Sequence, residues 1–177
     1  MRQLRLLTAL LFFLFLAGPV RAQREQTGPL TPAQQDQIAE AGIDPDARIA
    51  LYTKFLNEHA DTINGLSKRH ESGRGRRLDS ELESFSALID ELASNLDEYG
   101  GRKADLRKAL KGLNESIPRW QQMLHSLPTN SAYSISRDDA TDALNDLAGQ
   151  TKKLTADQET YFKEHKKAKG QQREEPQ

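Results

Sequence analysis

Residues 78–99 read LDSELESFSALIDELASNLDEY, and the rhythm of this stretch decides the fold class. Its apolar side chains fall at Leu78, Leu82, Phe85, Ile89, Leu92, Leu96 and Tyr99. The steps alternate between four and three, which keeps one seam along one face of a helix. A strand would alternate every second residue instead. Gly100-Gly101 then supplies the stop.

Three further stretches repeat the rhythm. One opens at Asp44-Pro45, an N-cap acid with proline at the first helical position, and runs Ile49, Tyr52, Leu56, His59, Ile63, Leu66, His70. Another runs Leu106, Leu110, Leu113, Ile117, Trp120, Leu124, Leu127 and ends at Pro128. The last starts at Ser136, which with Asp139 makes a capping-box pattern, and continues Ala140, Leu144, Leu147, Thr151, Leu154, Gln158, Tyr161, His165. Amphipathic helices are marginal alone in water and bury their stripes against one another. Connections at 72–77, 100–101 and 128–135 are short enough for antiparallel neighbours.

The expected fold is therefore all-α: an antiparallel up-down four-helix bundle over residues 44–167. A short extra N-terminal helix, opened by Leu30-Thr31-Pro32-Ala33-Gln34 and ended at Gly42, lies in the preceding segment, 23–43. Pro118 should kink or split the third long helix, because it removes a backbone donor and crowds the preceding turn. Thr151 and Gln158 make the fourth stripe polar, so its second half is expected to be less buried or turned toward a partner. Residues 168–177 have no large apolar side chain and read as a disordered polar tail.

The first 22 residues read as a secretory signal peptide. Arg2 and Arg5 precede the apolar run Leu6–Ala17, and Gly18-Pro19 and Val20-Arg21-Ala22 follow it. Cleavage is expected after Ala22, giving a periplasmic or secreted protein. Losing Arg2, Arg5 and Arg21 takes the basic count from 25 to 22 against 26 acids, a net charge of −4. That balance argues against nucleic acid as a partner, since such binding needs a basic face. No later segment is apolar enough for a membrane span. The chain has no cysteine, which removes disulfides, a lipid-anchored cysteine and a cysteine nucleophile together.

Chemistry-bearing patterns are sparse. Alternating helix directions bring His70 and His125 to one end, which makes them the candidate metal ligands. A zinc or copper site needs three or four, so no metal and no cofactor is expected. No Glu-x-x-His pair of the di-iron kind occurs, nor a phosphate-cradling loop or nucleophile elbow. No catalytic residue is assigned, and an enzyme is not expected. The sharpest charge feature is Lys68, Arg69, His70, Arg74, Arg76 and Arg77, set around Gly73 and Gly75. Arg69, Arg74, Arg76 and Arg77 form the anion-binding candidate; a solvated turn whose arginines pair with Asp79, Glu81 and Glu83 is the plainer reading. Off-seam apolar residues (Leu51, Phe55, Leu88, Met123, Phe162) are either surface contacts or a wider core stripe.

The pentapeptide Leu30-Thr31-Pro32-Ala33-Gln34 recurs in form as Leu154-Thr155-Ala156-Asp157-Gln158, followed by Glu159-Thr160-Tyr161-Phe162-Lys163. Two Leu-Thr-x-x-Gln boxes near the ends of an exported helical chain resemble the Spy-like family of periplasmic chaperones and stress sensors. The chain departs from that family in having only two methionines. The resemblance implies an all-helical protein that shields partly unfolded clients, with Leu154, Gln158, Tyr161 and Phe162 as the partner-binding candidates. The expected function is thus an exported, non-enzymatic helical protein that binds clients or an envelope partner. The alternatives are a structural, self-associating homo-oligomer and a metal- or anion-binding bundle.

Overall fold

The computed structural model describes residues 28–174, with side chains described to 165. The expected signal peptide, 1–22, lies outside the described residues. The described residues form five helices: α1 Pro32–Glu40, α2 Pro45–Ser67, α3 Arg74–Gly101, α4 Arg107–Ser126 and α5 Ser134–Glu174. The chain is all-α over this range. The α5 backbone continues to Glu174, into the stretch expected to be a polar tail.

Helix starts follow local chemistry. Thr31 caps α1, with Gln34 reaching back to the Thr31 N–H, so the first Leu-Thr-x-x-Gln box is a complete capping box. The Asp44 carboxylate caps α2 by accepting from the Asp46 and Ala47 N–H groups, and Pro45 needs no partner. The α5 start differs from expectation. The helix begins at Ser134, and the Ser136 hydroxyl donates to Asp79 of α3 at 2.5 Å instead of capping its own helix. Pro118 sits inside an unbroken α4.

The stripes meet in one core. Every stripe position of α3 and α4 is buried, as is every apolar one of α2. Thr151 and Gln158 are buried as well, at 0% and 4% exposure. Thr151 and Gln158 themselves face inward, but Leu154 and Tyr161 are only half-buried and His165 is exposed, so the second half of the fourth stripe is less buried than the first, as its composition suggests. Phe55, Leu88 and Met123 are buried too, so these off-seam residues widen the core and offer no surface contact.

Hydrogen bonds fix the helix directions. Asp46 accepts from the Ala109 N–H and Asn57 accepts from Trp120 Nε1, both pairs 63 positions apart, so α2 and α4 run side by side in parallel. Ser136–Asp79 and Gln150–Ala93, both 57 apart, show the same for α3 and α5. His59–Glu81 and Tyr52–Glu91 join α2 and α3 antiparallel, as Gln121–Asn145 and Asn114–Thr155 join α4 and α5. Directions thus alternate along the chain from α2 to α5. The neighbours do not follow chain order, however: α2 packs on α3 and α4, and α5 packs on α3 and α4.

Consecutive helices α3 and α4 lie across the core from each other, bridged only by side chains such as the edge-to-face Phe85–Trp120 pair at 6.1 Å. The link 102–106 crosses this diagonal. Its five residues reach about 17 Å when extended, enough for the roughly 14 Å diagonal of four helices packed 8–10 Å apart. Length alone therefore permits either arrangement.

Candidate binding surface at the end of α5

Gln158 is the last buried residue described in α5, and it closes the core against the diagonal link. Its Oε1 accepts from the Leu106 N–H at 3.0 Å, and its Nε2 donates to the Ala104 carbonyl at 2.8 Å. Four residues earlier, Leu154 is half-buried against Gly100. The second Leu-Thr-x-x-Gln box is therefore interior to a helix. Its Leu packs on the end of α3 and its Gln on the link, while its Thr155 hydroxyl accepts from the Asn114 amide at 3.2 Å. Gln158, assigned to partner binding from the sequence, is engaged with backbone; Leu154 is half-buried against α3.

One turn further, the surface changes. Tyr161 and Phe162 are half-exposed and meet edge to face at 5.1 Å. Lys103 Nζ lies 5.7 Å from the Tyr161 ring centre, and the Arg107 guanidinium 4.4 Å from that of Phe162. Both distances are within the range of cation–π attraction. Asp105 grips Arg107 with both oxygens, at 2.8 Å to Nε and 2.6 Å to Nη2. That hydrogen bonding from Arg107 outweighs the small desolvation of Asp105 and holds its carboxyl below the usual carboxylate range. The His165 Nδ1–H donates to the Tyr161 carbonyl at 2.8 Å, and the two rings stack with centres 4.0 Å apart. A cleft of about 190 Å³ beside Leu96, Gly100, Lys103 and Leu154 opens next to Tyr161. The result is an aromatic pair flanked by two cations, about three turns before the end of α5.

Lys103 and Arg107 were not among the sequence candidates. They stand more than fifty positions from the rings they cover. They become predictable only once Gln158 is set opposite Leu106, because the residues one turn further along α5 then lie over the link and the start of α4.

The other candidates are dispersed or consumed. Arg74 donates to the Ser67 and Arg69 carbonyls at the end of α2, while Arg69 and Arg77 both pair with Glu71. Among the described residues, Arg76 alone of the four has no such partner. The expected acids are used elsewhere: Asp79 by Ser136, and Glu81 by His59. Glu71, inside the turn, is the nearer carboxylate. His70 and His125 are exposed, and no cluster of three or more metal-ligating side chains converges among the described residues.

Interior polar groups serve helix pairing. The Tyr52 hydroxyl donates to Glu91 at 2.6 Å, and Asn95 bonds both Tyr52 and Tyr99. Burial, reinforced by the Glu91 carboxylate, pushes the Tyr52 phenol well above its ordinary range. Comparison with protein-family models, with curated proteins and with solved structures finds no match to this chain.

Proposed function

We propose that this chain is an exported, non-enzymatic binding protein that holds a protein partner or an unfolded client on the Tyr161–Phe162 surface of α5. On this reading the four long helices are a four-helix bundle with a diagonal second connection, and α1 is the extra helix strapped to it through Arg48, which donates to the Ile38 and Gly42 carbonyls. The observation that carries the reading is the half-exposed aromatic pair backed by Lys103 and Arg107. Aromatic rings present large, rigid contact area at little entropic cost, and they recur at the centres of protein interfaces. The polar side chains most able to do chemistry, such as Tyr52, Glu91 and His59, are instead spent on joining helices. The likeness to the Spy-like family enters here as a mode of action, the shielding of clients.

Light scattering from a chemically unfolded client tests this. The protein at near-equal concentration should suppress aggregation. A Tyr161→Ser, Phe162→Ser double variant, which leaves Gln158 and Leu154 in place, should lose most of that effect. No suppression at several-fold excess would sink the client-holding reading. Self-association is the second reading, supported by the three-four rhythm of α5 continuing past the last core residue at Tyr161 and His165. Sedimentation tests it separately: self-association requires one defined oligomer that the same double variant breaks.

A further inference from the structure

A second concavity lies between α4 and α5 at the opposite end of the molecule, with a volume of about 450 Å³. That is within the range of small-molecule sites, roughly 300–1,000 Å³. Its apolar lining is Leu124 and Leu144, both core residues at 3% and 1% exposure. Gln121 and Asn145 stand on its two sides and share one hydrogen bond at 3.2 Å. That bond leaves the Gln121 carbonyl and the Asn145 amide N–H groups without a protein partner among the described residues.

The charge in the groove is carried by Arg137 and Asp138, with His125 beside them. The Arg137 side chain is only 24% exposed, and its Nε and Nη2 both go to one oxygen of Asp138, at 3.1 and 2.9 Å. Asp138 is 65% exposed, and a pair with so wet a partner is weakly held. A half-buried guanidinium is thus fixed in the groove, paired only with a carboxylate that solvent can draw away. The same guanidinium opposes a divalent cation, so His125 has the wrong neighbour for a metal site.

We infer that this groove binds a small monocarboxylate with a compact apolar body. The carboxylate takes the fork of Arg137 in place of Asp138, the body enters beside Thr141 above the buried Leu124 and Leu144, and the Gln121–Asn145 amides meet any polar group at the far end. Bidentate recognition of this kind is what guanidinium geometry favours.

The test is a titration of the isotope-labelled protein with phenylpropanoate and, separately, with its neutral amide, followed by NMR. The acid should give saturable shifts at the Leu124 and Leu144 methyls and at the Gln121 and Asn145 side-chain amides. The amide should bind at least about fivefold more weakly, since a charge-assisted bond is roughly twice as strong as a neutral one. Arg137→Gln should abolish that preference. Asp138→Asn, which removes the competing carboxylate without touching the core, should tighten the acid severalfold and carries the test if Arg137→Gln fails to fold. Shifts that do not saturate, shifts outside the groove, or equal affinity for acid and amide would overturn the inference. Tyr161→Ser, Phe162→Ser should leave this binding unchanged.

Discussion

Replacing Gln158 should be far more damaging than its polar character suggests. The side chain is 4% exposed and satisfies both a buried donor, the Leu106 N–H, and an acceptor, the Ala104 carbonyl. Gln158→Ala removes both partners. Each orphaned buried group costs about 1–3 kcal/mol, and water reaching the link recovers part of the sum, leaving about 3 kcal/mol lost. For a domain of this size, 1 kcal/mol moves Tm by about 2–4 °C, so a fall of about 6–12 °C is expected by circular dichroism. Gln158→Glu separates hydrogen bonding from packing. Its carboxylate accepts from Leu106 but faces the Ala104 carbonyl; protonated, it can donate there as the amide does. Its folded-state pKa should therefore lie above the unfolded value of about 4.3. The folded state then binds more protons, so stability is retained below that value and falls as pH rises through the folded pKa. Urea titrations at pH 4 and pH 7 read this directly. A Gln158→Ala loss under about 1 kcal/mol, the level of an ordinary surface substitution, or a Gln158→Glu deficit independent of pH, would refute the clamp.

Two further outcomes follow from the interior polar groups. The raised Tyr52 phenol keeps its proton in the folded state, so stability should fall as pH climbs above about 10, the unfolded tyrosine value. Tyr52→Phe should flatten part of that alkaline slope while costing about 1–2 kcal/mol at neutral pH, because Glu91 loses its donor; an unchanged slope would remove Tyr52 from the account. Thr151 is fully buried with its hydroxyl unpaired among the described residues, so Thr151→Val should raise stability by about 1 kcal/mol in urea denaturation.

Helix positions are legible in the sequence because capping and periodicity are local. Thr31-Pro32 with Gln34 and Asp44-Pro45 each act within one turn of chain and do in the structure what their composition dictates, whereas Gly100-Gly101 stays inside α3 and the left-handed residue just past its end is Lys103. The neighbour relations are not legible. Short links suit antiparallel neighbours, but a five-residue link also spans a diagonal, and nothing in its length chooses. The burial of Thr151 and Gln158 is hidden for a related reason. Polarity suggests exposure, whereas a buried amide is comfortable wherever backbone groups leave a helix end unpaired. The arginine turn displays only its charge in the sequence, and the carbonyls at the end of α2 that consume Arg74 are invisible until the chain reverses. The rings at 161 and 162 stand out in the sequence; the cations over them do not, since they belong to the link and to another helix.

Leucine stripes of this regularity would pack nearly as well with α3 and α4 adjacent as with them opposed, so the apolar core does not select the topology. The polar contacts do. Asp46 meets the first turn of α4 only if α2 and α4 run in parallel, side by side, and Asn57 with Trp120 repeats the demand further along the same pair. Gln158 can bond both Ala104 and Leu106 only if the link passes over the end of the core beneath α5. In the adjacent arrangement these half-buried and buried groups would lose their partners, and each buried one left unpaired weighs against the wrong fold more heavily than it favours the right one. The same contacts set the stage for binding. By pinning the link under α5, Gln158 brings Lys103 and Arg107 within reach of Tyr161 and Phe162. Loosening the clamp should therefore disorder the aromatic surface before it unfolds the core, which couples the register of the fold to whatever the surface holds.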